Sequence, residues 1–229
     1  MFTGFTPAAS DFLWGIRFNN YRDWFMAHKQ EYLSLVQQPL KELAQEVFDR
    51  FTEKYPDLNM ELHVSRIYRD ARRLHGKGPY KDHLWFSIRR PAAEHWTERP
   101  VFWFEIGPEG YGYGMGMWMA KPFTMECYRK ELLEHPEGLL PLAERLEAQN
   151  VFVLDSPEYK RPKPDTPQGI LAKWYNRKGF SISCERQWDS TLESRQIAED
   201  LLEGYDFLMP YYQYFTEMCD LARMKEFMR

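Results

Sequence analysis

The chain has 229 residues, of which 44% are hydrophobic and 17% aromatic, and its 30 Lys+Arg against 34 Asp+Glu leave a net charge of -4. A chain of this length buries roughly 70% of its unfolded surface, which excludes a disordered tract, a collagen-like repeat or a small disulfide scaffold. No run of about 20 apolar residues occurs, so no transmembrane helix is expected. The odd, widely spaced Cys127, Cys184 and Cys219 read as reduced thiols. The first residues lack a basic stretch followed by an apolar one. The expectation is a cytoplasmic protein.

In chain order, Thr6-Pro7 reads as an N-cap followed by proline at the first helical position, with Phe12, Leu13 and Ile16 on one face. Asn20 is expected to cap a second helix. From Phe25 to Phe51 apolar residues recur every three or four positions, which predicts a long amphipathic helix kinked or split by Pro39. Strands are predicted over 62–69, 84–89, 101–106 and 111–119, where apolar and polar or large and small residues alternate. Gly112, Gly114 and Gly116 line one face of the last of these, so an aromatic side chain, a helix or a ligand comes close to that backbone. A helix capped by Thr124 runs to about 134 and resumes over 139–150. A short strand at 151–154 follows. Residues 155–169 carry four prolines and form a loop. A strand spans 180–184, and helix fills the chain from about 191, broken near Pro210. This order predicts one α+β domain over 1–229: an antiparallel β-sheet meander in the middle of the chain, with N-terminal and C-terminal helices packed on it.

Charge is uneven along the chain. Residues 61–90 hold eight basic and three acidic side chains, and residues 158–178 hold six and two. The remainder therefore carries about -13. An acidic surface with two basic stretches disfavours long nucleic acid but suits a small anion. The densest stretch is Arg66, Arg69, Asp70 and Arg72, then Lys77, Tyr80 and Lys81. Strand periodicity puts Arg66, Tyr68 and Asp70 on one face and Arg69 on the other, so the arginines converge only where the strand ends or bulges. Gly76, Gly78 and Pro79 turn the chain back, bringing Lys77, Tyr80 and Lys81 beside Arg69 and Arg72. Guanidinium forks hold phosphate or carboxylate by paired charge-assisted hydrogen bonds. Lys160, Arg161 and Lys178 could form a second wall of such a site. The alternative is a structural ion-pair network with Asp70 bound to a neighbouring arginine.

Phe18-Asn19-Asn20-Tyr21-Arg22-Asp23-Trp24-Phe25, the central Arg66-Ile67-Tyr68-Arg69-Asp70 with Arg72, Lys77-Gly78-Pro79-Tyr80-Lys81, and Gly114-Met115-Gly116-Met117-Trp118 resemble the motifs of the domain of unknown function 2461 family, a mostly bacterial set. The resemblance covers nearly the whole chain. Arg73 departs from it, standing where the family usually has phenylalanine. The resemblance implies one α+β domain and marks the same basic segment, and it names no reaction, cofactor or catalytic residue.

Other chemistry finds less support. His63, His75, His83 and His95 form no helical i, i+4 pair, and the cysteines make no CxxC, so no metal or cofactor is expected. Ser-His-Asp catalysis lacks its elbow motif. Paired-carboxylate chemistry would need Asp70, Asp82 or Glu105 close together. The leading expectation is a protein that binds a small anionic ligand, a phosphate-bearing one included, and acts on it if it is an enzyme. The alternative is an interaction module with a structural Arg/Asp network. It would present Trp85, Trp103, Tyr111 and Tyr113 on a sheet face and Met209, Met218, Met224 and Met228 on the last helix.

Overall fold

A computed structural model describes residues 1–70, 72, 76, 78–91 and 96–228. The chain opens with α1 (Pro7–Phe18), α2 (Arg22–Ala27) and the single turn α3 (Lys29–Glu31). A π-helical turn (Tyr32–Gln37) leads into α4 (Gln38–Lys54). Then come β1 (Glu61–Val64), β2 (Leu84–Arg89), β3 (Val101–Ile106) and β4 (Gly110–Gly116). The second half holds α5 (Pro122–Glu134), α6 (Leu140–Glu147), β5 (Val153–Leu154), α7 (Leu171–Tyr175), β6 (Ser181–Gln187) and α8 (Gln196–Phe227). The fold is α+β, with one antiparallel sheet in the order β1-β2-β3-β4-β6-β5. The first four strands make the expected meander.

The alternation of the sequence explains which face each strand buries. Leu84, Phe86 and Ile88, then Phe102, Phe104 and Ile106, then Tyr111, Tyr113 and Met115 are buried. The rings of Phe86 and Phe104 stack at 5.4 Å. The β1–β2 register sets His63 opposite Ser87 and Glu61 opposite Arg89 on the other face. The glycine face of β4 is approached by a neighbouring strand. A Cβ on Gly116 would stand 2.6 Å from the Phe180 carbonyl oxygen, and one on Gly112 would stand 2.6 Å from the Glu185 carboxylate. The residues of β6 and the one before it thus fill the space that β4 side chains would need.

Contacts group the residues into two compact units. The first comprises Met1–Arg90, Trp103–Tyr113 and Glu185–Gly204, and the second Pro91–Phe102, Gly114–Cys184 and Tyr205–Arg229. In the first, α4 lies on β1 and β2. Leu40, Leu43, Val47 and Phe51 from α4 are buried together with Phe12, Leu13 and Ile16 from α1. In the second, Phe180 stacks on Phe215 at 4.0 Å, Tyr128 meets Phe180 edge-on at 4.7 Å, and Phe152 stacks on Phe207 at 5.5 Å. Burial of these rings is the main stabilising term in each unit.

Three local expectations are corrected, those for Asn20, Thr124 and Pro210, while the expected break at Pro39 is present. Asn20 caps nothing. Tyr21 occupies the cap of α2, and the Asn20 amide is taken by Tyr80. Thr124 lies inside α5, whose cap is Lys121, because Pro122 can start a helix without a donor. Pro39 sits in the first turn of α4, and the preceding turn widens so that the Gln38 N–H reaches back to the Leu33 carbonyl. α8 runs unbroken through Pro210. Its neighbours Leu208, Met209, Tyr211 and Tyr212 are all buried, and their packing outweighs the helix-breaking cost of about 3 kcal/mol. No described helix is long and apolar enough to cross a membrane.

Candidate functional site

The basic segment of the first unit leaves the sheet at Val64. Ser65 donates its N–H to the Trp85 carbonyl at 2.8 Å, and its hydroxyl accepts the Trp85 N–H at 2.9 Å, which ends the regular ladder. The chain then pairs with its own return. Arg69 N–H donates to the Pro79 carbonyl at 2.8 Å, Lys81 N–H donates to the Ile67 carbonyl at 2.7 Å, and Tyr68 bridges Tyr80. The turn expected from Gly76, Gly78 and Pro79 does bring Tyr80 and Lys81 beside Arg69.

This return is clamped from the α1–α2 corner. Tyr80 N–H donates to Asn20 Oδ1 at 2.9 Å, and Asn20 Nδ2 donates to the Tyr80 carbonyl at 2.9 Å. The side-chain amide thus does what a neighbouring strand would do. The Tyr80 ring is buried, stacked on Phe25 at 4.2 Å, and burial raises its hydroxyl pKa. Tyr68 is exposed.

The arginines separate by role. Arg69 Nε donates to the Tyr80 carbonyl at 2.7 Å and Nη2 to Asp82 Oδ1 at 3.2 Å. Arg72 and Asp70 form a local exposed pair at 2.8 Å, which contributes little to stability. The Arg66 side chain is exposed, and its carbonyl accepts from Lys81 Nζ at 2.8 Å. The Lys81 ammonium also lies 5.8 Å from the Trp85 ring centre. Burial lowers the Lys81 pKa, and the like charges of Arg69 and Arg66 lower it further, with Glu105 opposing. Among the described residues, neither Arg66 nor Lys81 forms an ion pair with a carboxylate. Lys77 lies outside the described residues, as do Arg73, His75 and His95.

Asp82 is the hub of this corner. It accepts from Arg17 Nε at 2.6 Å, from Arg69 and from His83 Nδ1 at 3.1 Å. Burial pushes its carboxyl up, but the hydrogen bonds from Arg17 and His83 outweigh that and hold it below the ordinary carboxylate range. Arg17 also grips both carboxylate oxygens of Glu109. Beside the hub runs a groove of about 390 Å³, lined by His83, Glu105, Glu109, Glu185, Arg17 and Arg186 together with the β3–β4 turn. Glu105 keeps contact with solvent in the groove, although the surrounding protein crowds its carboxyl. Burial and then the nearby Asp82 raise its carboxyl pKa, while His83 and Lys81 oppose this. Of this hub, residue type and spacing single out Asp82 and Glu105, as carboxylates whose proximity the sequence leaves open, and His83, as one of four histidines without metal-site spacing. Arg17 lies 65 residues from Asp82, and no spacing rule links them.

Lys160, Arg161 and Lys178 belong to the second unit. Lys160, Arg161 and the Lys178 side chain are exposed. Lys178 Nζ lies 5.4 Å and Lys163 Nζ 4.4 Å from the centre of the Tyr159 ring. Arg129 stacks there too, at 5.2 Å, and its guanidinium donates to the carbonyls of Met125, Tyr175 and Arg177.

The surfaces of the interaction alternative divide. Tyr111 and Tyr113 are buried on the core face, and Met209 and Met218 are buried along α8. Trp85 and Trp103 are half-buried, and Met224 and Met228 are exposed. Cys127, Cys184 and Cys219 are buried thiols in no disulfide, and burial pushes the Cys219 thiol up to about 12. Among the described residues, no group of three or more His, Cys, Asp and Glu is placed to hold a metal ion.

No curated protein matches the chain. A family model matches residues 8–214, which is most of the sequence, and the chain therefore belongs to the family described as conserved hypothetical protein (DUF2461).

Proposed function

We propose that this protein binds a small anionic molecule at the Arg66–Lys81 corner of its first unit, as a cytoplasmic protein. One observation carries the reading: Arg66 and Lys81 are cations without a carboxylate partner among the described residues, set beside Arg69, whose guanidinium is already fixed by Asp82 and Tyr80. Three like charges in one place repel one another, and an anion relieves that repulsion. Arg66 and Lys81 are the direct ligands in this reading, and Arg69 supplies fixed charge behind them. Asp70 and Arg72 neutralise each other and stand aside. Lys160, Arg161 and Lys178 give the second unit its own basic surface.

Inorganic phosphate, screened by thermal shift, tests this. A ligand at a hundred times its Kd adds about 2.7 kcal/mol. The wild type and Arg72→Ala are expected to show the same rise in Tm, and Lys81→Met and Arg66→Ala to lose it. Equal rises in all four proteins would remove the corner from the binding reaction. The interaction reading retains one specific feature, the last turns of α8, where Met224, Phe227 and Met228 are exposed. If that face binds a partner or a second copy, Phe227→Ser will change the mass measured by light scattering.

A further inference from the structure

The loop between β5 and α7 has little regular structure, yet its backbone is fixed. Asn176 is buried, its side-chain oxygen accepts the Lys163 N–H at 2.8 Å, and its carbonyl accepts the Tyr159 N–H at 3.0 Å. The Tyr175 hydroxyl donates to the Pro164 carbonyl at 2.9 Å, the Thr166 hydroxyl to the Lys163 carbonyl at 2.6 Å, and the Lys178 N–H to the Pro157 carbonyl at 2.8 Å. A partner that meets this loop orders little new backbone. The same loop gathers positive charge. Lys163 Nζ stands 4.4 Å, the Arg129 guanidinium 5.2 Å and Lys178 Nζ 5.4 Å from the centre of the Tyr159 ring. All three distances run to one point, so no two of these charges are more than about 11 Å apart. That is close to the Debye length of about 10 Å in 0.1 M salt, so they repel one another in solution. Lys160 and Arg161 are exposed on the same loop. Glu158 pairs with Arg177 and Glu147 with Lys173, and among the described residues none of Lys160, Arg161, Lys163 and Lys178 forms an ion pair with a carboxylate.

The chemistry left open on this loop selects its partner. Guanidinium forks favour phosphate, and two of the three arginines here are spent on the protein itself. Arg129 donates to the carbonyls of Met125, Tyr175 and Arg177, and Arg177 to those of Lys173 and Ser156. Single-stranded nucleic acid is held by stacking its bases on exposed rings. Here Trp174 and Tyr175 are buried, and the half-buried Tyr159 ring already carries the cations. What remains uncommitted is mainly ammonium, a point charge that one carboxylate oxygen satisfies. The charges are spread along a loop, which matches carboxylates repeated along a chain better than one small anion. We propose that this loop docks an acidic peptide segment of a partner protein, with Lys163 and Lys178 meeting its carboxylates beside Tyr159, and Lys160 and Arg161 extending the contact. All of these residues belong to the second unit, so the proposal does not depend on the anion reading of the first.

The test uses the full chain and fluorescein-labelled octaglutamate, read by fluorescence anisotropy. The wild type is expected to bind it with an affinity that falls as salt is added. The double variant Lys163→Met with Lys178→Met is expected to raise Kd about 5-fold, as the loss of two exposed ion pairs implies. Arg161→Ala removes only an exposed side chain, and is expected to raise Kd about 2-fold at an unchanged Tm. Lys81→Met, in the first unit, is expected to bind as the wild type does. Octathymidylate, of similar charge, is expected to bind more weakly. No octaglutamate binding by the wild type, or binding unchanged in both loop variants, overturns the proposal. Octathymidylate binding at least as tightly overturns the peptide in favour of nucleic acid. Loss of octaglutamate binding in Lys81→Met alone overturns the loop in favour of the first unit. A salt-sensitive rise in mass by light scattering without peptide, lost in the double variant, overturns the foreign partner in favour of a second copy.

Discussion

Asn20 and Asp82 organise the candidate site without belonging to any motif of charge. Each joins chain segments about 60 residues apart: Asn20 holds both backbone groups of Tyr80, and Asp82 holds Arg17. Asn20→Ala removes two hydrogen bonds and leaves the Tyr80 backbone short of partners. A loss of about 2 kcal/mol is expected in urea denaturation, since each net bond contributes about 1 kcal/mol. Asp82 sets a pH dependence whose sign follows from its lowered pKa. A depressed folded-state pKa gives stability that is present above the unfolded value, about 3.9, and is lost as pH falls through the folded one. Asp82→Asn should therefore be less stable than wild type at neutral pH, with a shallower decline of Tm on acidification below about pH 4. Lys81 has the opposite character, because a cation with a lowered pKa is held in the fold against its preference. Lys81→Met is expected to melt no lower than wild type at neutral pH while losing any response to phosphate, a pattern that separates binding from folding. The sequence showed the crowding of Arg66, Arg69 and Lys81, because these are near neighbours along the chain and across one tight turn. It did not show Arg17, Asp82 and His83 as a unit, because their proximity depends on how α1 packs, which spacing does not encode.

At the level of elements, the period-two alternation of β2, β3 and β4 was enough to place the strands and their buried faces. What escaped were effects of the backbone on itself. The glycines of β4 exist for β6, a strand some 65 residues away, and a short Gly-alternating run cannot say what approaches it. Gly116→Ala would set a methyl against the Phe180 carbonyl and the Ser181 backbone, neither of which can swing aside. A loss of about 1–3 kcal/mol is expected, measured as a lower urea midpoint at unchanged slope. Pro210 is the converse case. Sequence rules break a helix there, yet the tyrosines that follow it and the apolar residues before it are buried and hold both halves of α8 in line.

Across the whole molecule, cohesion comes from aromatic and aliphatic burial within each compact unit and not from covalent staples. All three cysteines are buried thiols, and no disulfide links any pair of them. Thermal unfolding is therefore expected to be the same with and without a thiol reductant. A reductant-sensitive Tm would show that the thiols become reachable in the native state. The charge pattern also reads at this scale. The two basic stretches fall one in each unit, so each unit meets solvent with its own basic patch on an otherwise acidic surface.

The Asn20 clamp has a consequence for how this molecule can be watched. The amide hydrogen of Tyr80 is held by a side chain on a distant corner, whereas β1 and β2 pair through a regular ladder. Its exchange with deuterium therefore times the opening of one contact, the seat of the α1–α2 corner on the return of the basic segment. A molecule docking beside Lys81, the next residue, should slow that single clock while the exchange of Phe86 within β2 keeps its pace, giving an occupancy signal that works whatever the chemical identity of the ligand.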